Sequence, residues 1–383
     1  MNRAARTTGR YVRQMEGYNA FIPEALPPAP PVRIDGEMQV LLSRADRALG
    51  RLDGSIQTLP NPELFIFMYV RKEAVLSSQI EGTQASINDV LEVEAQIFDP
   101  ERPNDVGEVL NYVNAMNYGL QRQETLPMSL RLIREIHKLL MQGVRGNQLN
   151  PGEFRESQNW IGVMGGTISD ASFVPPPPSQ LMDVLGDFER FLHADVDIPA
   201  LIRIGLMHAQ FETIHPFLDG NGRVGRLLIT FLLCQQEILS KPVLYLSHYF
   251  KKHRQRYYEL LQGTRDNGDW ESWLKFFLEG VAEVSNEATQ TARKIVDMRE
   301  DHRRLIIQRL GRVAGNGINV LEHLFEQPIV QVNKVAELLG VTYQSANALM
   351  AKFEEEGLVR EITGHVRNRR FSYTSYISLF SDV

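Results

Sequence analysis

Two apolar stretches separated by a short, glycine-rich, charged turn constrain this chain more than any other feature. Before the turn, in IPALIRIGLMHAQFETI, Leu201, Ile202, Gly205, Leu206 and Ala209 share one helical face. After it, RVGRLLITFLLCQQE is apolar on nearly every side, as expected of the central helix of a mainly α-helical body. The turn between them, HPFLDGNGRVGR (215–226), places polar groups at the end of two core helices.

Most of the remaining chain has the same helical rhythm. MQVLLSRADRALGRLDG, NPELFIFMYVRKEAVLSSQIEG, VGEVLNYVNAMNYGLQRQ, MSLRLIREIHKLLMQG and HRQRYYELLQGTRD all read as helices, the second with Asn61 as cap and Pro62 in its first turn. YNAFIPEALPPAPP is too proline-rich for a helix and is expected to drape in extended form over the body. NWIGVMGGTISDASFV breaks the rhythm: Trp160, Ile161 and Val163 favour strand, Gly165-Gly166 signals a turn, and Phe173-Val174 can return. A β-hairpin over 158–174, closed by the prolines at 175–178, is the expectation. A long helical pattern runs from Asp269 to about Leu310, and Gly311–Gly317 is the best linker candidate. Beyond it, INVLEHLFEQ, VNKVAELLG and YQSANALMAKFEEEGLV read as three helices, and EITGHVRNRRFSYT as two strands around a basic loop. That order predicts a winged helix-turn-helix unit at 318–383, following an N-terminal helical segment at 1–100 and a core at 101–310.

Composition removes several function classes. A formal net charge of −6 argues against a generally basic nucleic-acid binder. The single cysteine, Cys234, lies in an apolar run and reads as buried core, consistent with a reducing compartment. No apolar run reaches the ~18–20 residues needed to span a bilayer, and MNRAARTTGRYVRQ lacks the apolar stretch of a signal peptide. A cytoplasmic protein with no membrane partner is the expectation. His193 and His208 have no metal-ligand spacing and read as surface or packed residues.

The turn carries the parts of a phosphate-transfer site. Gly220 and Gly222 let backbone N–H groups approach an anion, and the following helix directs its positive end there. Asp219 can hold Mg²⁺, Asn221 can donate to a phosphoryl oxygen, and Arg223 and Arg226 stand three apart on the first helical turn. His215 can take a proton from an incoming hydroxyl. This string is similar to the HxFx[D/E]GNGRxxR motif of the Fic family at every defining position. The likeness extends from the proline-rich N-terminus to about Leu278. It implies transfer of AMP from ATP, with Mg²⁺, to a Ser, Thr or Tyr hydroxyl of a target protein or of the chain itself. His215 would be the general base, Asp219 the metal residue, and Gly220, Asn221, Gly222, Arg223 and Arg226 the nucleotide site.

Three further pieces follow from the same resemblance. SSQIEG, with Ser77, Glu81 and Gly82, resembles the family's inhibitory motif, in which Glu81 would pair bidentately with Arg226 and exclude the γ-phosphate. The hairpin resembles the family flap that aligns a target segment by strand addition. Tyr257 and Tyr258 resemble aromatic contacts to the nucleotide base. The C-terminal unit offers the rival function of a DNA-binding regulator. Thr342, Gln344, Ser345 and Asn347 would face base edges, and Arg367, Arg369 and Arg370 phosphates, although Glu354–Glu356 oppose this and protein docking stays open. The sequence leaves undecided whether the chain forms a homodimer.

Overall fold

The computed structural model describes residues 8–57, 62–96, 103–146, 148–162, 165–364 and 369–380. An N-terminal hairpin, β1 (Gly9–Arg13) and β2 (Asn19–Pro23), pairs antiparallel from Gly9↔Pro23 to Arg13↔Asn19. The helices α1 (Gly36–Gln57), α2 (Pro62–Ile80), α3 (Ile87–Glu94), α4 (Val106–Gln123), α5 (Leu130–Leu140), α6 (Pro178–His193), α7 (Ala200–Ile214), α8 (Asn221–Gln235), α9 (Ser247–Lys252), α10 (Arg254–Asn267) and α11 (Trp270–Arg309) make the body. The C-terminal unit runs α12 (Ala314–Glu326), β3 (Ile329–Gln331), α13 (Val332–Leu339), α14 (Tyr343–Glu355), β4 (Arg360–Glu361), β5 (Arg370–Ser372) and α15 (Thr374–Ile377). The protein is mainly α-helical.

The centre of the body is the pair α7–α8. Every residue of α7 from Ile204 to Ile214 is buried, as is α8 from Arg223 to Leu233. A helix buried on all sides must carry apolar residues on all sides, which is the pattern its sequence has. Close packing sets who sits beside it: a side chain at Gly119 of α4 would run into the Phe231 ring of α8, so glycine there lets the two helices approach. The long α11 packs along α1 and crosses α7, where Trp273 Nε1 donates to Gly205 O at 2.8 Å. No helix among the described residues is long and apolar enough to cross a membrane.

Several expectations need correction. The segment after Tyr18 is not merely draped: its first residues form β2, and Phe21 N–H donates to Val174 O at 2.9 Å. The partner strand, GRYVR, is too short and too polar to be recognised alone. Among the described residues, the 158–174 segment carries one antiparallel bridge, Ile161↔Phe173, and a single helical turn at Ile168–Asp170; Val163 lies outside the described residues, as does Asn61. Helix α6 begins on the last proline of the 175–178 run, which suits the first turn, where no N–H is missed.

Gly311–Gly317 is not an open linker. It forms one turn at Gly311–Val313 and then the start of α12. A Cβ at Gly317 would come within 2.9 Å of Ile306 and Leu310, so glycine allows α12 to fold back on the end of α11. The C-terminal residues form an antiparallel sheet of order β3-β5-β4 against their helices, one strand more than sequence periodicity suggests. This unit is anchored to the body. Arg299 holds Glu322 at 2.7 and 3.1 Å, and the buried Phe380 ring stands edge-on to Tyr69 of α2 at 5.4 Å.

Candidate active site

Helix α7 ends because His215 adopts a left-handed conformation, φ 49° and ψ 60°, immediately before Pro216. Helix α8 starts after Gly220, also left-handed at φ 77°. Its first internal bond runs from Val224 N–H to Gly220 O at 3.0 Å, leaving the N–H groups of Asn221, Gly222 and Arg223 without intrahelical partners. The turn therefore opens an anion-binding helix end between buried helices.

The loop is held from several sides. Asn221 is 2% exposed, and its amide closes on Phe217 from both ends, accepting from Phe217 N at 2.8 Å and donating to Phe217 O at 2.8 Å. Its side chain thus shapes the turn, with one of its two amide N–H groups taken by Phe217 O. Asn159 donates to His215 O and Phe217 O at 3.1 and 2.7 Å, and Arg155 Nε to His215 O at 3.0 Å. His137 stacks on Phe217 at 3.7 Å and contacts Asp219 O at 3.0 Å.

The two motif arginines take different partners. Arg223, 1% exposed, reaches Glu108 of α4 at 3.0 Å and the Met141 sulfur at 3.4 Å, with Asp219 Oδ1 at 3.9 Å. Arg226 turns to α2: Nε donates to Ser77 Oγ at 2.8 Å, and Nη2 to Ser77 O at 3.0 Å and Glu81 Oε1 at 2.7 Å. The pair with Glu81 is therefore single, not bidentate, because Ser77, one turn earlier, already occupies Nε. The sequence leads both arginines to be expected facing the phosphates; here one guanidinium reaches α4 and the other α2.

Glu73, Ser77 and Glu81 stand at i, i+4 and i+8, the last just past the end of α2, and Arg226 bonds the second and third. Glu81 Oε1 also lies against the α-carbon of Gly222, where any side chain would collide with it. The carboxylate of the chain itself thus sits over the first turn of α8, about one-third exposed. Burial alone would raise its pKa, but Arg226, Arg223 and His215 together hold it below the usual carboxylate range. Gly82, φ 98°, ends α2 directly after it.

His215 is half-buried, with Nδ1 inside, leaving Nε2 as the nitrogen for a proton. Burial, then the charges of Arg265 and Arg155, lower its pKa to about 4, opposed by Glu81. It is neutral at pH 7 and competent to accept a proton. Glu212 and Glu73 go the other way, pushed up to about 7 by burial despite Arg226. Asp219 Oδ1 accepts from Gly220 N–H at 2.6 Å, and Oδ2 stands where a side chain at Gly146 would approach within 2.7 Å. Among the described residues no three His, Cys, Asp or Glu side chains converge on one metal position. A divalent cation here would take Asp219 from the protein and its other oxygens from phosphate and water, as Mg²⁺ commonly does.

Of the adjacent tyrosines only one faces outward. Tyr257 is 1% exposed, stacks on Phe250 at 4.5 Å and meets His208 Nε2 through its hydroxyl at 2.8 Å, so it belongs to the wall. Successive helical residues point ~100° apart, and Tyr258, 39% exposed, is the one available to a ligand. His208, expected to be packed, is buried with both ring nitrogens engaged. Sequence reading missed Glu73, Glu108, His137, Arg155 and Asn159. A signal existed for three of them: Glu73, Glu108 and His137 fall on the apolar faces of α2, α4 and α5, where an ionisable group needs a specific partner.

The model of the Fic/DOC family N-terminal region matches residues 39–121, and that of the Fic/DOC family matches 127–233. Among curated relatives, the protein adenylyltransferase Fic of Drosophila virilis is 30% identical over 211 residues, covering 52% of this chain and 39% of that protein. The Drosophila melanogaster protein of the same name is 28% identical, covering 52% and 38%. The chain therefore spans less than two-fifths of the length of these relatives. A crystal structure of a Fic family protein from Desulfovibrio desulfuricans G20 superposes with a TM-score of 0.58 at 18% identity, over 90% of this chain and 97% of that one. Fic-1 (134–508) from C. elegans gives 0.51 at 21% identity, over 68% and 74%. The two adjoining family matches end inside α8, beyond the whole of the turn and both its arginines, and the solved Fic proteins share the surrounding helices: this chain belongs to the Fic/DOC family.

Proposed function

We propose that this chain transfers AMP from Mg-ATP to a hydroxyl side chain of a protein, and that Glu81 holds it inhibited. The observation carrying this reading is the Glu81 carboxylate lying over Gly222 and paired with Arg226 at 2.7 Å. An anion supplied by the chain occupies the helix end that a nucleotide phosphate would need. With Glu81 withdrawn, the N–H groups of the α8 turn and Arg226 bind and orient the triphosphate, and Tyr258 offers a ring to the base. Asp219 would hold Mg²⁺, which neutralises phosphate charge when bound. His215 takes the proton of the incoming hydroxyl as its oxygen bonds to the α-phosphorus. The bond from that phosphorus to the bridging oxygen breaks, and pyrophosphate leaves. Support for adenylyl transfer comes from the curated relatives, which are named protein adenylyltransferases.

The test is labelling of the Glu81→Gly protein with ATP tagged at either the α- or the γ-phosphate. Incorporation of the α-label alone supports the reading, and γ-label incorporation rejects it. The low pKa of His215 adds an expectation about pH. Removing Glu81 removes a charge that raises that pKa, so in Glu81→Gly it stays at or below about 4. The base is then unprotonated above pH ~5, and kcat/KM, which reports the free enzyme, should stay flat between pH ~6 and ~8. An inflection near the ordinary histidine value of ~6.5 contradicts the described environment.

A second reading is favoured by one surface. Thr342, Tyr343, Gln344 and Ser345 at the start of α14 are exposed, and no acidic residue lies on that helix before Glu354. We read the C-terminal unit as a winged helix that could lay this end in a DNA groove. Its expected phosphate contacts are reduced, however. Arg369 is paired with Glu354 at 2.8 Å, Arg370 Nε is buried without a hydrogen-bond partner, and Arg367 lies outside the described residues. Duplex binding by the whole chain that weakens steeply with salt and is lost on Gln344→Glu would establish this activity. No binding at ~50 mM salt would dismiss it.

A further inference from the structure

We propose that His137 of α5 is a positioning residue for the anion turn: it fixes the peptide plane that enters α8 and, through it, the nucleotide site. The inference rests on the nucleotide-binding reading above and assigns the part of the site that the motif itself does not contain.

His137 is 2% exposed and engaged at both nitrogens. Gly152 N–H donates to Nδ1 at 2.8 Å, which leaves the ring proton on Nε2, and Nε2–H donates to Asp219 O at 3.0 Å. The Asp219 carbonyl and the Gly220 N–H belong to one planar peptide unit, so a bond to the former orients the latter. That plane precedes the left-handed Gly220 on which the start of α8 depends. On its face, the imidazole lies flat against Phe217, rings 3.7 Å apart and 6° from parallel. Phe217 is the residue whose main chain Asn221 clamps. One turn further along α5, Met141 supports the next part of the loop. Its sulfur touches Arg223 at 3.4 Å and stands 2.8 Å from where a side chain at Gly220 would begin. His137 and Met141, at i and i+4, thus form one buttress under the turn. His137 also ties the turn to the 151–155 loop through Gly152, and Arg155 of that loop holds the His215 carbonyl. A single imidazole therefore links the proton acceptor, the metal residue and the anion cradle without touching substrate.

The roles of ring and hydrogen bonds are separable. In the Glu81→Gly background, His137→Phe keeps a flat ring beside Phe217 but loses both bonds. His137→Gln keeps a donor and an acceptor without the ring. ATP affinity, measured by calorimetry with Mg²⁺ and without turnover, is expected to fall roughly tenfold or more in His137→Phe. In His137→Gln it should stay within about threefold of the parent, with both variants melting near the parent. An unchanged affinity in His137→Phe overturns the proposal. So does a His137→Gln protein as impaired as His137→Phe, because a donor and an acceptor at this position then fail to restore the site. If the Glu81→Gly parent binds ATP but labels no hydroxyl, the transfer reading fails while the affinity comparison still decides His137. A parent that binds no ATP overturns both.

Discussion

Glu81→Gly is expected to raise the initial rate of AMP incorporation by roughly ten- to a hundredfold, the cost of a misplaced α-phosphate being of that order. The size follows from what Glu81 occupies. Its Oε1 lies 2.7 Å from Arg226 Nη2 and against Gly222, so a guanidinium N–H of Arg226 and the entrance of the α8 helix end are both taken. Removing the side chain frees that guanidinium N–H and lets phosphate oxygens reach the turn. Arg226 stays in place, because Ser77 holds its Nε at 2.8 Å and its Nη2 at 3.0 Å. Glu81→Gln separates charge from bulk: it keeps the shape but donates as well as accepts, and should give an intermediate rate. Time courses with α-phosphate-labelled ATP measure the effect, and a Glu81→Gly protein no faster than its parent removes the inhibitory role.

The second large effect concerns His215. In the Glu81→Gly background, loss of the imidazole should reduce transfer by roughly 10²- to 10⁴-fold, the usual contribution of a positioned base. ATP binding should remain, because the turn is held by Asn159, Arg155 and Asn221 through main-chain atoms that any residue at 215 retains. The backbone adds a complication, since φ is 49° at His215. Alanine in that left-handed conformation costs about 1 kcal/mol or more, whereas asparagine tolerates it. His215→Asn is thus the cleaner variant, expected to be folded, to bind ATP and to be nearly inactive. Activity within about threefold of the parent would remove the proposed base.

Much of this was legible in the sequence because the motif and its flanking periodicities agree. The apolar faces of α7 and α8 told where the turn must sit, and Gly220 and Gly222 told what it could hold. The inhibitory contact was legible only through resemblance. SSQIEG by itself says nothing of Arg226, 145 residues away from Glu81. What escaped was any role set by tertiary partners. Nothing in GNG tells that the Asn221 amide also closes on the main chain of Phe217. Nor does the motif tell that Arg223 is held by Glu108, on a different helix. The adjacent Tyr257 and Tyr258 could not both face one ligand, a point that helix geometry alone would have resolved. Short or polar pieces failed for a different reason: β1, β3 and the remnant of the 158–174 hairpin carry too few residues for a period of two to stand out.

If Glu81 stands where a nucleotide phosphate must go and AMP is what the freed site transfers, intact-mass and fragmentation spectrometry of the Glu81→Gly protein after incubation with ATP and Mg²⁺ will show it. A gain of one adenylate on a hydroxyl side chain, absent when His215→Asn is added, is the predicted result. An unmodified protein, or one carrying only a phosphate, would contradict it.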